Sequence, residues 1–196
     1  RSLLETLARH IQSETYVLGR FLGGKMIYYA GIGARQTPED VCRKMSQAGR
    51  AMASLGFTLR SGGAKGADAA FESAALEVPD ALTEIYLPFK GFNRNDSQMY
   101  GSCREARKIA SHYHPRWNIL SDVGREFHAR NVYQILGQDL VTPSDFVLCW
   151  TPGGRVVGGT GQALRIAHDH NIPILNFATD DDDYISNFIL KLAERN

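Results

Sequence analysis

Three times along this chain a short apolar run empties into a glycine cluster and a helical pattern follows: MIYYAGIGARQTPED, FTLRSGGAKGAD and DFVLCWTPGGRVVGGTGQAL. Short runs that are apolar throughout, rather than alternating, suit strands buried on both faces, and intervening helices supply the crossovers that parallel strands need. Read in order, the pattern gives strands at MIYYA (26–30), FTLR (57–60), TEIYLPF (83–89), DFVLCW (145–150) and IPILNF (172–177). Helices are expected over 37–56, opened by Thr37 and Pro38 and closed by Gly56, and over 66–76, 96–113, 123–140, 159–170 and 180–196. The fold class that follows is α/β: a Rossmann-like, doubly wound, mostly parallel sheet with helices on both faces. In such sheets ligands bind at the carboxyl ends of strands, where strand order reverses, and all three glycine clusters fall at strand ends.

One domain over 26–196 accounts for this alternation, and a content of 43% hydrophobic and 22% charged residues is enough for a globular core. Residues 1–25 read differently. Leu3, Leu4, Leu7 and Ile11 share a helical face and GRFLGGK is a flexible break, so this stretch is an N-terminal extension, native or foreign, with no assigned function. Formal net charge is +1, which leaves room for a local basic groove but no global field for polyanions. Cys42, Cys103 and Cys149 form no CxxC pair, which argues against a disulfide framework or a zinc site and fits a reducing cytoplasm. The sequence shows neither a membrane-length apolar run nor a signal peptide.

Each glycine cluster has a structural and a ligand-binding reading. In the first, Gly31 and Gly33 permit close backbone approach and Arg35 offers a planar fork of donors for phosphate; the plain reading is a tight turn with a solvated arginine. In the second, Ser61, Gly62, Gly63 and Gly66 bring hydroxyl and amide donors to a helix start, Lys65 adds charge, and Asp68 either bonds a ribose hydroxyl or serves the helix dipole. In the third, Gly158, Gly159 and Gly161, with Gly153 and Gly154 before them, surround a helix start capped by Thr160 and followed by Gln162, and five glycines in nine residues exceed the needs of a turn. Neither the dinucleotide fingerprint nor a Walker A loop is present.

Together, SGGAKGAD, FHARN, PGG and GGTGQAL resemble the SLOG superfamily, which holds the DprA-type DNA-processing proteins and the LOG-type nucleoside-monophosphate phosphoribohydrolases. The likeness spans about Met26 to Phe177 and implies a Rossmann-like fold, a nucleotide-type ligand and a homodimer. By position, Arg130 of FHARN matches the arginine that the LOG branch sets at a ribose phosphate and the DprA branch near nucleic-acid phosphate, and Asn131 beside it is a further candidate ligand-binding residue. The LOG pattern PGGxGTxxE ends in a catalytic glutamate, but that position here is Ala163, and RVV separates PGG from GGTG. Glu126, one turn before Arg130, is the substitute acid such a hydrolase would need; its plainer role is an i, i+4 partner of Arg130.

The expectation is therefore a nucleotide-binding protein that needs no further cofactor, with N-glycosidic hydrolysis resting on Arg130 and Glu126, Asp68 being the alternative carboxylate. The alternative is a DprA-like binder of single-stranded nucleic acid, with Arg35, Lys65 and Arg130 on phosphates. Among lesser features, SHYHPRWN interleaves aromatic and basic residues, though Trp117 also suits core packing. Trp150 suits base stacking and the core equally. The pairs His112/His114 and His168/His170 lack ligand spacing for a metal, and TDDDD suits a helix N-terminus.

Overall fold

The computed structural model describes residues 25–195. Its strands are β1 (Tyr28–Gly33), β2 (Thr58–Ser61), β3 (Thr83–Ile85), β4 (Phe146–Trp150) and β5 (Ile174–Asn176). They form one sheet of order β3-β2-β1-β4-β5, with every pairing parallel. The helices are α1 (Glu39–Ser54), α2 (Ala67–Leu76), α3 (Arg104–Tyr113), α4 (Asp122–Leu136), α5 (Gly158–Asp169) and α6 (Asp182–Glu194).

Successive side chains of a strand point to opposite faces, so each strand here feeds two cores. Tyr29, Leu59, Phe146, Leu148 and Leu175 pack with Met45 and Met52 of α1, Phe71 of α2 and Ile185 and Ile189 of α6. Ala30, Ile32, Val147 and Cys149 pack on the other side with Ala106 of α3, Val132 and Ile135 of α4, and Leu164 and Ile166 of α5. The α/β class with a doubly wound parallel sheet is thus the observed one. The chain winds outward from β1 through β2 to β3, then restarts at β4 on the other side. The reversal of order, and so the place for a ligand, lies between the carboxyl ends of β1 and β4.

Several boundaries differ from the sequence expectation. β1 starts two residues later than expected and runs on through Ile32 to Gly33. The third strand keeps only Thr83–Ile85, and beyond it Leu87 forms a lone bridge to Tyr100. The helix expected from residue 96 begins at Arg104, because Asn95 Oδ1 accepts from the Ser97 amide, the Ser97 hydroxyl donates to the Ile85 carbonyl at the end of β3, and Gly101 has φ of +77°. α4 stops at Leu136 rather than 140, where Gly137 takes φ of +80° and a Cβ would strike the Thr142 carbonyl oxygen at 2.6 Å. Thr160 does not cap α5: Val157 holds the N-cap position and the helix begins at Gly158. The helical face of Leu3, Leu4, Leu7 and Ile11 lies outside the described residues. Among the described residues, no helix is long and apolar enough to cross a membrane.

Candidate functional site

At the switch point the three glycine loops and α4 enclose a cleft of about 540 Å³. Gly33 and Arg35 enter it from the end of β1, Asp68 from α2, Phe127, His128, Arg130 and Asn131 from α4, and Gly158, Gly159 and Thr160 from the start of α5. Phe127 and Arg130, and His128 and Asn131, lie three apart and Phe127 and Asn131 four, so one broad face of the helix supplies all of them.

Arg130 is the centre of the charge distribution. Its side chain is only 8% exposed and lies 3.5 Å from the Asp68 carboxylate, itself 4% exposed. Nη1 donates to the Gly62 carbonyl, whereas Nε is buried without a hydrogen-bond partner among the described residues. Burial raises the Asp68 carboxyl above its usual value, with Arg130 and the amide of Ala64 opposing the rise, and burial lowers the Arg130 guanidinium. The pair is therefore a buried charge couple with donor capacity to spare. Facing it, the amides of Gly158, Gly159 and Thr160 have no acceptor among the described residues, as expected for the first turn of a helix. Gly158 and Gly159 line the cleft, and a Cβ on either would meet nothing within 4 Å.

Other glycines serve packing instead. A Cβ on Gly31 would strike Leu59 and Phe71, one on Gly33 would strike Ala67, and one on Gly161 would strike the Val156 backbone. A Cβ on Gly62 would land on the Arg130 guanidinium. Gly63 and Gly66 take φ of +62° and +82°, and at Gly66 the second loop touches the carbonyls of Ala34 and Arg35 in the first. Ser61 is fully buried and its hydroxyl donates to the Gly31 carbonyl, so it ties β2 to β1 rather than facing the cleft.

The remaining residues singled out from the sequence divide. Arg35 is exposed and lies over the Phe127 ring at 5.6 Å, with Arg130 at 5.9 Å from the same ring. Lys65 is exposed and stands outside the cleft lining. Asn131 donates to the Gly159 carbonyl at 3.2 Å and to Gln162 Oε1 at 3.0 Å. Gln162 is fully buried, with Nε2 on the Ala110 carbonyl and Oε1 against His128 Nδ1; it orients Asn131 and His128 from behind the cleft. Glu126 does not pair with Arg130. It turns to α3, where it forms an ion pair with Arg107 and accepts from the Ser102 hydroxyl, outside the lining. Trp117 and Trp150 are partly buried and pack against the cores.

Phe127 and His128 were not singled out from the sequence, although their spacing to Asn131 places them on its face of α4. Phe127 meets Phe92 and the 45%-exposed Phe89 edge-on, making an aromatic cluster with Arg35 beside it. The His128 ring lies 4.2 Å from that of His114, and burial holds both imidazoles below their usual pKa.

No family model matches this chain, and no curated protein matches it. Among solved structures it is similar to DNA processing protein A (DprA) from Helicobacter pylori, in a structure that addresses how that protein binds single-stranded DNA. The fold is DprA-like. The likeness has a TM-score of 0.54 at 17% identity and covers 86% of this chain and 81% of the DprA chain.

Proposed function

We propose that the cleft binds single-stranded nucleic acid, with a backbone phosphate seated between Arg130 and the first amides of α5. The observation that carries this reading is the pairing of a buried, incompletely satisfied guanidinium with an open helix N-terminus across a single cleft. Both groups favour an anion, and both lose little entropy on binding it because they are already fixed. Phe127, in the cleft lining with Arg35 and Arg130 over its ring, adds apolar and cationic surface beside the phosphate seat against which a neighbouring base can pack. The H. pylori DprA that shares the fold binds single-stranded DNA, which supports a strand as the ligand.

A lone nucleotide is the second reading, favoured by the cleft volume, which lies within the range of small-ligand sites. Hydrolysis of its N-glycosidic bond would need an acid or an anionic stabiliser near the ribose. Ala163 occupies the position of the LOG glutamate, Glu126 is engaged with Arg107, and the carboxylate in the lining is Asp68, held against Arg130. Binding without turnover is thus the better-supported outcome for a nucleotide.

The test is fluorescence anisotropy of a labelled oligothymidylate titrated with the protein at salt from about 50 to about 200 mM, with unlabelled mononucleotides as competitors. Affinity that falls steeply with salt and resists mononucleotide competition is the expected result. Displacement by one mononucleotide at micromolar concentration, with free base released, would replace this reading with an enzymatic one.

A further inference from the structure

α3 and α4 pack side by side, and their outer surface bears charge that the cleft does not use. Arg104, Arg107 and Lys108 recur at helical spacing and share one face of α3. With Arg125 of α4 they line a shallow pocket of about 290 Å³ floored by Trp117. Four cations thus meet one lining carboxylate, Asp122, on a chain whose formal net charge is only +1. Glu126 neutralises Arg107 and the 98%-exposed Asp122 meets Arg125 at 3.3 Å, but Arg104 and Lys108 have no ion pair among the described residues. The Arg125 guanidinium lies 5.9 Å from the Trp117 ring, which restrains it, and its Nε is buried without a hydrogen-bond partner among the described residues. A pocket of this composition fits a polyanion through charge complementarity.

The first two turns of α4 carry both sites: Gly124, Phe127 and His128 face the cleft, and Asp122 and Arg125 face the basic pocket. A strand leaving the cleft has one helix to cross, about 10 Å, a span that an extended single strand covers within a few nucleotides. We propose that a single strand held in the cleft continues across the start of α4 and places later phosphates on Arg104, Lys108 and Arg125. The direction of the strand rests on the cleft reading above; the basic face itself does not. Arg104 and Lys108 act as exposed, mobile cations that lengthen the binding site, whereas Arg130 fixes its origin.

The experiment compares wild type with Arg104→Ala/Lys108→Ala on two labelled oligothymidylates, one of about four bases and one of about sixteen. Both substituted residues are exposed and, among the described residues, without an ion pair, so melting temperature should be unchanged. On the long strand, loss of two phosphate contacts should lower the salt slope by about 1.4 and weaken binding roughly tenfold at about 0.15 M salt. The short strand, which fills only the cleft, should bind wild type and variant alike. Equal long-strand affinity and slope in the two proteins would overturn the proposal while leaving the cleft reading intact. Weakened long-strand binding in this variant, with no effect of disabling Arg130, would keep the basic face and overturn the cleft. Failure of wild type to bind either strand would overturn both. Capture of anionic lipid vesicles that depends on Arg104 and Lys108, with long-strand affinity unmoved, would assign the face to a membrane and overturn the nucleic-acid proposal.

Discussion

Removal of the Arg130 guanidinium should expose how much of this cleft is built around the Asp68 couple. Both side chains are more than nine-tenths buried and lie 3.5 Å apart, so Arg130→Ala strands a carboxylate in the interior. Breaking a buried ion pair from one side costs about 3–5 kcal/mol, and the lower end applies here because burial already pushes Asp68 towards its protonated form. At roughly 2–4 °C per kcal/mol for a chain of this size, the melting temperature should drop by about 6–12 °C at neutral pH. The sign with pH follows from the direction of the shift. Asp68 has a folded pKa above its unfolded value, so the fold favours the protonated carboxyl. Its contribution is fully present below the unfolded pKa and is lost as pH rises through the folded one. Without Arg130 that folded value rises further, so the gap between variant and wild type should narrow towards about pH 4 and widen above it. Adding Asp68→Asn should recover much of the lost stability and flatten the pH dependence, because an amide has no charge to desolvate. Thermal melts of the three proteins from about pH 4 to pH 8 read all of this directly. An Arg130→Ala protein that melts within a degree or two of wild type across that range, or a double variant no more stable than the single one, would refute the buried couple.

Other outcomes follow from the same geometry. Gly159→Ala adds a methyl where nothing lies within 4 Å, so stability should hold or rise by up to about 1 kcal/mol while oligonucleotide affinity falls; unchanged affinity would remove the α5 amides from the phosphate seat. Gly62→Ala displaces the guanidinium without deleting it and breaks its hydrogen bond to the Gly62 carbonyl, a charge-assisted contact worth about 1.5–3 kcal/mol. Stability should fall by about that amount and oligonucleotide binding should weaken, and a wild-type Kd in this variant would contradict the positioning role of that carbonyl. His128 has a folded pKa below its usual value, so its contribution to stability is present above about pH 6.5 and is lost as pH falls through the folded value. His128→Gln should accordingly flatten the decline of melting temperature between about pH 7 and pH 5, and an unchanged profile would assign that decline to other groups.

The alternation of apolar runs and helices carried the fold because a strand covered on both faces is mostly apolar; β2 departs from this, and its buried Arg60 and Ser61 are held by Glu84 and the Gly31 carbonyl. The glycine loops likewise announced where strands end. Their separate roles were not legible, since a glycine in a sequence does not show what a Cβ would strike. Gly31 and Ser61 proved to be packing and tethering groups, whereas Gly158 and Gly159 border open space. Lys65 reads as a phosphate ligand on charge alone, but it sits between Gly63 and Gly66, both at positive φ, and the loop turns it to solvent. Glu126 is one turn from Arg130 in sequence, yet the partner it takes comes from α3, a tertiary choice that local spacing does not encode. Phe127 and His128 carry a signal in the helical period of α4, four and three residues before Asn131, though an aromatic and a histidine at that spacing suit core packing as well as a cleft.

The central claim, a phosphate held between Arg130 and the start of α5, is tested most directly by nuclear magnetic resonance of the isotope-labelled 21.7 kDa protein titrated with a short oligothymidylate. The largest shifts should fall on the amides of Gly158, Gly159 and Thr160 and on the Arg130 Nε–H. Saturable binding that moves resonances elsewhere and leaves these four in place would contradict it.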